Sequence, residues 1–165
     1  MQPAIAISDH SELRERVLAY LEDHTTFNLA TAGPAGVWAS AVLYINEGIE
    51  LYFTSVGATR HGQNIHATGI VAGTINEDCR SYETMRGIQL QGTVAHVTDH
   101  NELRRAVRAY LRRFPFAAAL WNGETNPEVI ARDPGSHNFY RITPTKLLFT
   151  DHEYALGSRE ELPLE

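Results

Sequence analysis

Leu13, Val17, Leu18, Tyr20 and Leu21 recur at spacings of three and four, which sets an apolar stripe along one side of a helix from about residue 10 to 23. Asp9 and Glu12 stand three apart at its start, the pattern of a capping box with Asp in the Ser/Thr role. The run DHSELRERVLAYL at 9–21 returns as DHNELRRAVRAYL at 99–111, where Leu103, Val107, Tyr110 and Leu111 repeat the stripe and predict a second helix. The flanks differ: Thr-rich strand sequence follows one copy and Arg-Phe-Pro the other. We therefore read two similarly capped helices rather than a duplicated domain.

Between them the period changes to two. Residues 26–31 alternate, Ala32-Gly33-Pro34-Ala35-Gly36 signals a turn, and 37–45 (VWASAVLYI) resumes as a strand, giving a hairpin. Asn46-Glu47-Gly48 turns the chain into 49–54, in which Ile49, Leu51 and Phe53 share one face. After a short polar segment from Thr59 to Ala67, residues 70–75 and 88–94 read as two more strands, with Gly92 marking a bulge or bend. Residues 127–132 suit a short helix, and 138–142 with 146–150 a final strand region broken by Pro144. Six or so short strands with turn signals between them predict a mainly β chain with flanking helices, as a closed or nearly closed antiparallel barrel, the arrangement that removes exposed edges. One domain over 1–165 is expected, with 1–10 and 156–165 as flexible ends.

Charge narrows the partners. Lys plus Arg number 14 against 20 Asp plus Glu, a net charge of −6 that disfavours nonspecific attraction to nucleic acid or an anionic membrane. No apolar run approaches the ~20 residues that span a bilayer, and the start MQPAIAISDHSELRER has no secretory pattern. The single Cys79 permits no internal disulfide, so a cytoplasmic protein is expected.

Candidate chemistry concentrates at Phe53-Thr54-Ser55-Val56-Gly57-Ala58-Thr59-Arg60, where a strand ends and a helix begins near Thr59. Free first-turn amides, hydroxyls and a guanidinium suit an anion such as phosphate. An ordinary capped helix with a surface arginine gives the same residues, and on these alone it is the simpler reading. Ala39, Ser40 and Ala41 are small residues in a strand that otherwise carries Trp38, Val42, Leu43 and Tyr44, so a flat ligand could approach the backbone there; close packing of another element explains them equally well. Gln89 and Gln91 share a face that could read a heterocycle's rim or simply be solvated. None of the eight histidines shows metal-ligand spacing, His61 and His66 being five apart. Arg104, Arg108 and Arg112 form a basic stripe best read as a solvated face pairing with Glu160, Glu161 and Glu165.

The segments Thr-Arg-His-Gly-Gln (59–63), Val-Ala-Gly-Thr-Ile-Asn (71–76), Arg-Gly-Ile-Gln-Leu-Gln-Gly (86–92) and Arg-Arg-Phe-Pro (112–115) carry a resemblance over about residues 11–150. The chain resembles the pyridoxamine 5'-phosphate oxidase-like, FMN-binding split-barrel superfamily, particularly a bacterial branch of it. The resemblance implies a six-stranded antiparallel split β-barrel that binds FMN, as an oxidoreductase of unknown substrate. It places the flavin ring along Trp38 to Leu43 and the FMN phosphate at Phe53, Thr54, Thr59 and Arg60, the last replacing a more usual Lys; combined with the residue reading above, Ser55 joins the expected phosphate ligands and the ring is expected over Ala39, Ser40 and Ala41. It places Gln89 near the flavin pocket from the other subunit, hence a homodimer with its sites at the interface. Two departures set this chain apart: Trp38 stands where the oxidase opens its second strand with a basic residue, and Leu43 stands where it has a Lys near the ring. Pyridoxamine phosphate oxidation is therefore not carried over. The superfamily also holds deazaflavin users and haem binders, so the alternative is a non-catalytic protein that binds a flavin, a deazaflavin or haem.

Overall fold

The computed structural model describes residues 9–164, and its strands close on themselves. In chain order the elements are α1 (His10–Asp23), β1 (Thr26–Gly33), β2 (Gly36–Glu47), β3 (Glu50–Val56), α2 (Arg60–Thr68), β4 (Ile70–Asn76), β5 (Arg86–His96), α3 (His100–Arg113), α4 (Pro127–Arg132), β6 (His137–Asp151) and β7 (Arg159–Glu161), with a 3-10 helix over Pro115–Trp121. The spatial order is β3-β2-β1-β4-β5-β6, and β6 returns to pair with β3, so six antiparallel strands form a closed barrel flanked by helices.

Alternation decides what fills it. Phe27 and Leu29 of β1, Tyr44 of β2, Leu51 and Phe53 of β3, Ile75 of β4, Ile88 and Leu90 of β5, and Ile142 and Phe149 of β6 point inward as one buried cluster. The apolar stripe of α1 closes one end of the barrel: Leu13, Val17, Tyr20 and Leu21 join that cluster, and Tyr44 Oη donates to the Leu21 carbonyl at 2.8 Å. A second cluster lies outside the barrel wall, where Leu103, Val107 and Tyr110 of α3 cover Ile45, Tyr52 and Phe139. Arg113 fastens α3 to the end of α1 through the carbonyls of Glu22 (2.5 Å) and His24 (2.6 Å).

The two capped helices stand where expected, but only half of each capping box forms. Asp9 accepts from Ser11 N and Asp99 from Glu102 N, whereas Glu102 is taken by Tyr52 Oη (3.0 Å) and Arg141 Nη1 (2.8 Å). Pro144 does not divide the last strand. β6 runs through it because the register shifts between Gln91 and Gly92, setting Gly92 opposite Pro144, and a bulge has no ladder bond for the missing N–H. The far end also differs from the expected loose tail: Arg159–Glu161 pairs with Leu148–Thr150 of β6, and Leu162 is buried. Glu160 and Glu161 pair with Arg16 and Lys146 there, while Arg104 of α3 pairs with Glu128, so the tail does not neutralise the α3 stripe. The expected flexible start, 1–10, lies almost wholly outside the described residues. No helix among the described residues is long and apolar enough to cross a membrane.

Candidate functional site

β3 ends at Val56 and the chain turns directly into α2. Thr59 makes that turn: its hydroxyl donates to the Val56 carbonyl at 2.8 Å and accepts from Gly62 N at 3.1 Å, capping the helix. Gly62 is required because any Cβ there would press against the Gly57 carbonyl, at 2.7 Å. The helix docks through Asn64, whose Nδ2 donates to Thr31 Oγ1 at 3.1 Å, and a side chain at Gly33 would collide with that amide. At the other end Gly69, with φ of 64°, takes the left-handed conformation and its N–H closes on the Ile65 carbonyl. This docking brings His61 of α2 between β2 and β3.

His61 is the centre of the site, and spacing along the chain gave no sign of it. Its Nε2 lies 2.6 Å from Ser55 Oγ and its Nδ1 lies 3.2 Å from Ser40 Oγ. Ser55 Oγ is also 3.3 Å from Thr59 Oγ1. Burial pushes the His61 imidazole below its ordinary value, so the neutral ring is favoured. The unfolded chain therefore takes up a proton at this position at higher pH than the folded one does, and the folded state loses stability as pH falls below about 6.5. A His61→Gln variant should flatten that part of the curve, read as the difference between the two proteins' urea midpoints from pH 7.5 to 5.

Beside these groups lies a cavity of about 530 Å³, lined by Ala41, Val42, Leu43, Thr54, Ser55, Thr59, His61 and His137 and roofed by Tyr110, Phe116, Ala117, Ala119 and Leu120. Apart from Tyr110 of α3, the roof is the Pro115–Trp121 helix, which no pattern in the sequence announced. A space of this size suits a small organic ligand, and its walls are largely apolar with hydroxyls at one end.

The expected site residues divide. Ala41, Thr54, Ser55 and Thr59 share the cavity, and Ser40 reaches it through His61. Arg60 turns away: its Nη2 donates to the Ala35 carbonyl at 2.7 Å and its guanidinium lies 4.6 Å from the Trp38 ring, so Arg60 and Trp38 meet at the β1–β2 turn. Ala39, paired with Ala30, sits on the exposed outer wall of the sheet. Phe53 is wholly buried against Tyr140, and Gln89 is exposed on β5, paired with Thr74 and Leu148 away from the cavity. No group of three or more metal-ligating side chains occurs among the described residues.

Comparison with known proteins is consistent with this architecture. The family model described as pyridoxamine 5'-phosphate oxidase matches residues 13–151. A UPF0306 protein of Enterobacter sp. (strain 638) is 30% identical over 125 residues, covering 74% of this chain and 77% of the relative. Among solved structures, the conserved hypothetical protein Rv2991 of Mycobacterium tuberculosis superposes with a TM-score of 0.70 at 18% identity, over 93% of this chain and 90% of that one. HutZ, the haem storage protein of Vibrio cholerae, superposes with a TM-score of 0.64 at 16% identity, over 82% and 92% of the two chains. At such identities the two structures speak to fold alone.

Proposed function

Since this chain belongs to the pyridoxamine 5'-phosphate oxidase family, we propose that it binds FMN as a homodimer and serves as an oxidoreductase whose substrate is not fixed by the site. The observation that carries the reading is the coincidence of the apolar cavity with the start of α2: Thr54, Ser55 and Thr59 line the same space as Ala41, Val42 and Leu43. The first-turn amides of α2 and these hydroxyls would hold the phosphate, while Ala41 and the small residues before it leave room for a ring against the strand. Arg60 would swing from the Ala35 carbonyl to supply a guanidinium. A bound flavin would supply hydride or electron transfer, the protein orienting it and tuning its potential.

A second copy is part of the reading. Val37, Ala39, Ala41, Ala30, Ala72 and Ile70 are exposed along the outer wall of β2, β1 and β4, Val37 at 80% and Ile70 at 58%. Gln89 lies on the continuation of that wall, and on this reading the partner chain's copy would reach a ring over β2. Light scattering after size-exclusion chromatography should give twice the chain mass.

The test is the absorption spectrum of freshly purified protein and titration of FMN fluorescence. Saturable quenching is expected, and Arg60→Ala should weaken binding about tenfold or more, since hydrogen bonds to charged groups contribute about 1.5–3 kcal/mol. No bound chromophore and no quenching would end the proposal. One observation favours a second reading, in which the protein holds haem without turnover: His61 and His137 both line the cavity. A Soret band on haem addition, with no flavin response, would select it.

A further inference from the structure

Ser55, assigned above to the phosphate, also stands in a chain of two hydroxyls about one imidazole. Ser55 Oγ lies 2.6 Å from His61 Nε2, and in the tautomer that carries its proton on Nδ1 the hydroxyl is the donor. In that tautomer Nδ1–H faces Ser40 Oγ at 3.2 Å, a hydroxyl able to accept it. Nucleophile, base and orienting group thus follow one another in the order that activates a serine. We infer that Ser55 and His61 form a nucleophile–base pair that hydrolyses esters of apolar acids, with Ser40 as the positioning residue.

The cavity sets the substrate class. Ser55 and His61 are part of its wall, and Val42, Leu43, Tyr110, Phe116, Ala117 and Leu120 offer an apolar slot for an acyl chain. The neutral state of His61, favoured by burial, is the state a general base needs near pH 7. Ser55 Oγ bonds to the ester carbonyl carbon while its proton passes to His61 Nε2. The carbon–oxygen bond to the leaving alcohol then breaks, and the alkoxide takes that proton. Water attacks the acyl-serine, giving its proton to Nε2, and the carboxylic acid leaves as Ser55 recovers its hydrogen.

This inference does not rest on the cofactor reading; the two predict competition for one groove. The experiment is steady-state and burst kinetics with p-nitrophenyl butyrate on the purified full chain, with FMN fluorescence quenching measured on the same samples. Turnover is expected with a p-nitrophenol burst of about one per chain, rising with pH through a midpoint below 6.5 as His61 deprotonates. Ser55→Ala and His61→Gln should each lower kcat/KM by about 100-fold or more. Ser40→Ala should lower kcat with KM unchanged, and Ser40→Thr should restore it. A fluorophosphonate probe should add its mass at Ser55, independently of turnover. No turnover, turnover that survives Ser55→Ala, or a label elsewhere would each overturn the pair, and none of these outcomes bears on FMN quenching.

Discussion

Phe53→Ala is expected to destabilise the protein by about 4 kcal/mol, the cost of deleting a large aromatic ring from a filled core. Phe53 is 0% exposed, pairs across β3 with Tyr44 and Tyr140, and stacks on the Tyr140 ring at 5.2 Å between centroids. The ring fills the barrel, so its removal leaves a cavity that closed walls cannot collapse into. With an m-value of roughly 2 kcal/mol/M the urea midpoint should fall by about 2 M. Phe53→Leu should cost about 1.5 kcal/mol and leave the FMN quenching curve unmoved, because the side chain faces away from the cavity. A large loss of ligand affinity in Phe53→Leu, without loss of stability, would contradict this placement.

Asp151→Ala is expected to cost about 3 kcal/mol. The carboxylate, 7% exposed, receives Arg16 Nη2 at 2.7 Å on one oxygen and lies 3.5 Å from Arg86 Nε through the other. It also accepts from Tyr154 N at 3.2 Å. One side chain therefore ties α1, the start of β5 and the turn after β6, and removing it takes the shared carboxylate from two part-buried guanidinium groups, leaving Arg16 its longer contact with Glu160 and Arg86 its longer contact with Glu153. The loss should persist in 1 M salt, since buried pairs are screened far less than exposed ones. Parallel urea melts with and without salt measure it; a loss that vanishes in salt would mean a merely superficial pair.

The barrel was legible because its strands obey a period of two and its helices carry Asp caps before an apolar stripe. Pro144 misled because a proline normally stops a strand, and only the register opposite Gly92 shows that no N–H is wanted there. The edge strand at Arg159–Glu161 was hidden by its charge, which suits an exposed edge and reads as a tail. At the site, Phe53 was readable as core, since it shares a face with Leu51; assigning it to a cofactor overrode the alternation. His61 was invisible because its partners lie 21 and 6 residues away on two strands, and only the folded sheet brings their hydroxyls together. Arg60 shows the converse: residue type announced an anion ligand, while the β1–β2 turn offered its carbonyls closer at hand.

β6 lies against β3 along its first half and against β5 along nearly its whole length. Peeling it away strips hydrogen bonds from two neighbours at once, so no strand of the ring can fray alone. Amide protons on either side of β6 should then trade for deuterium in a single concerted opening, at the rate of global unfolding, and not in the graded order of an open sheet.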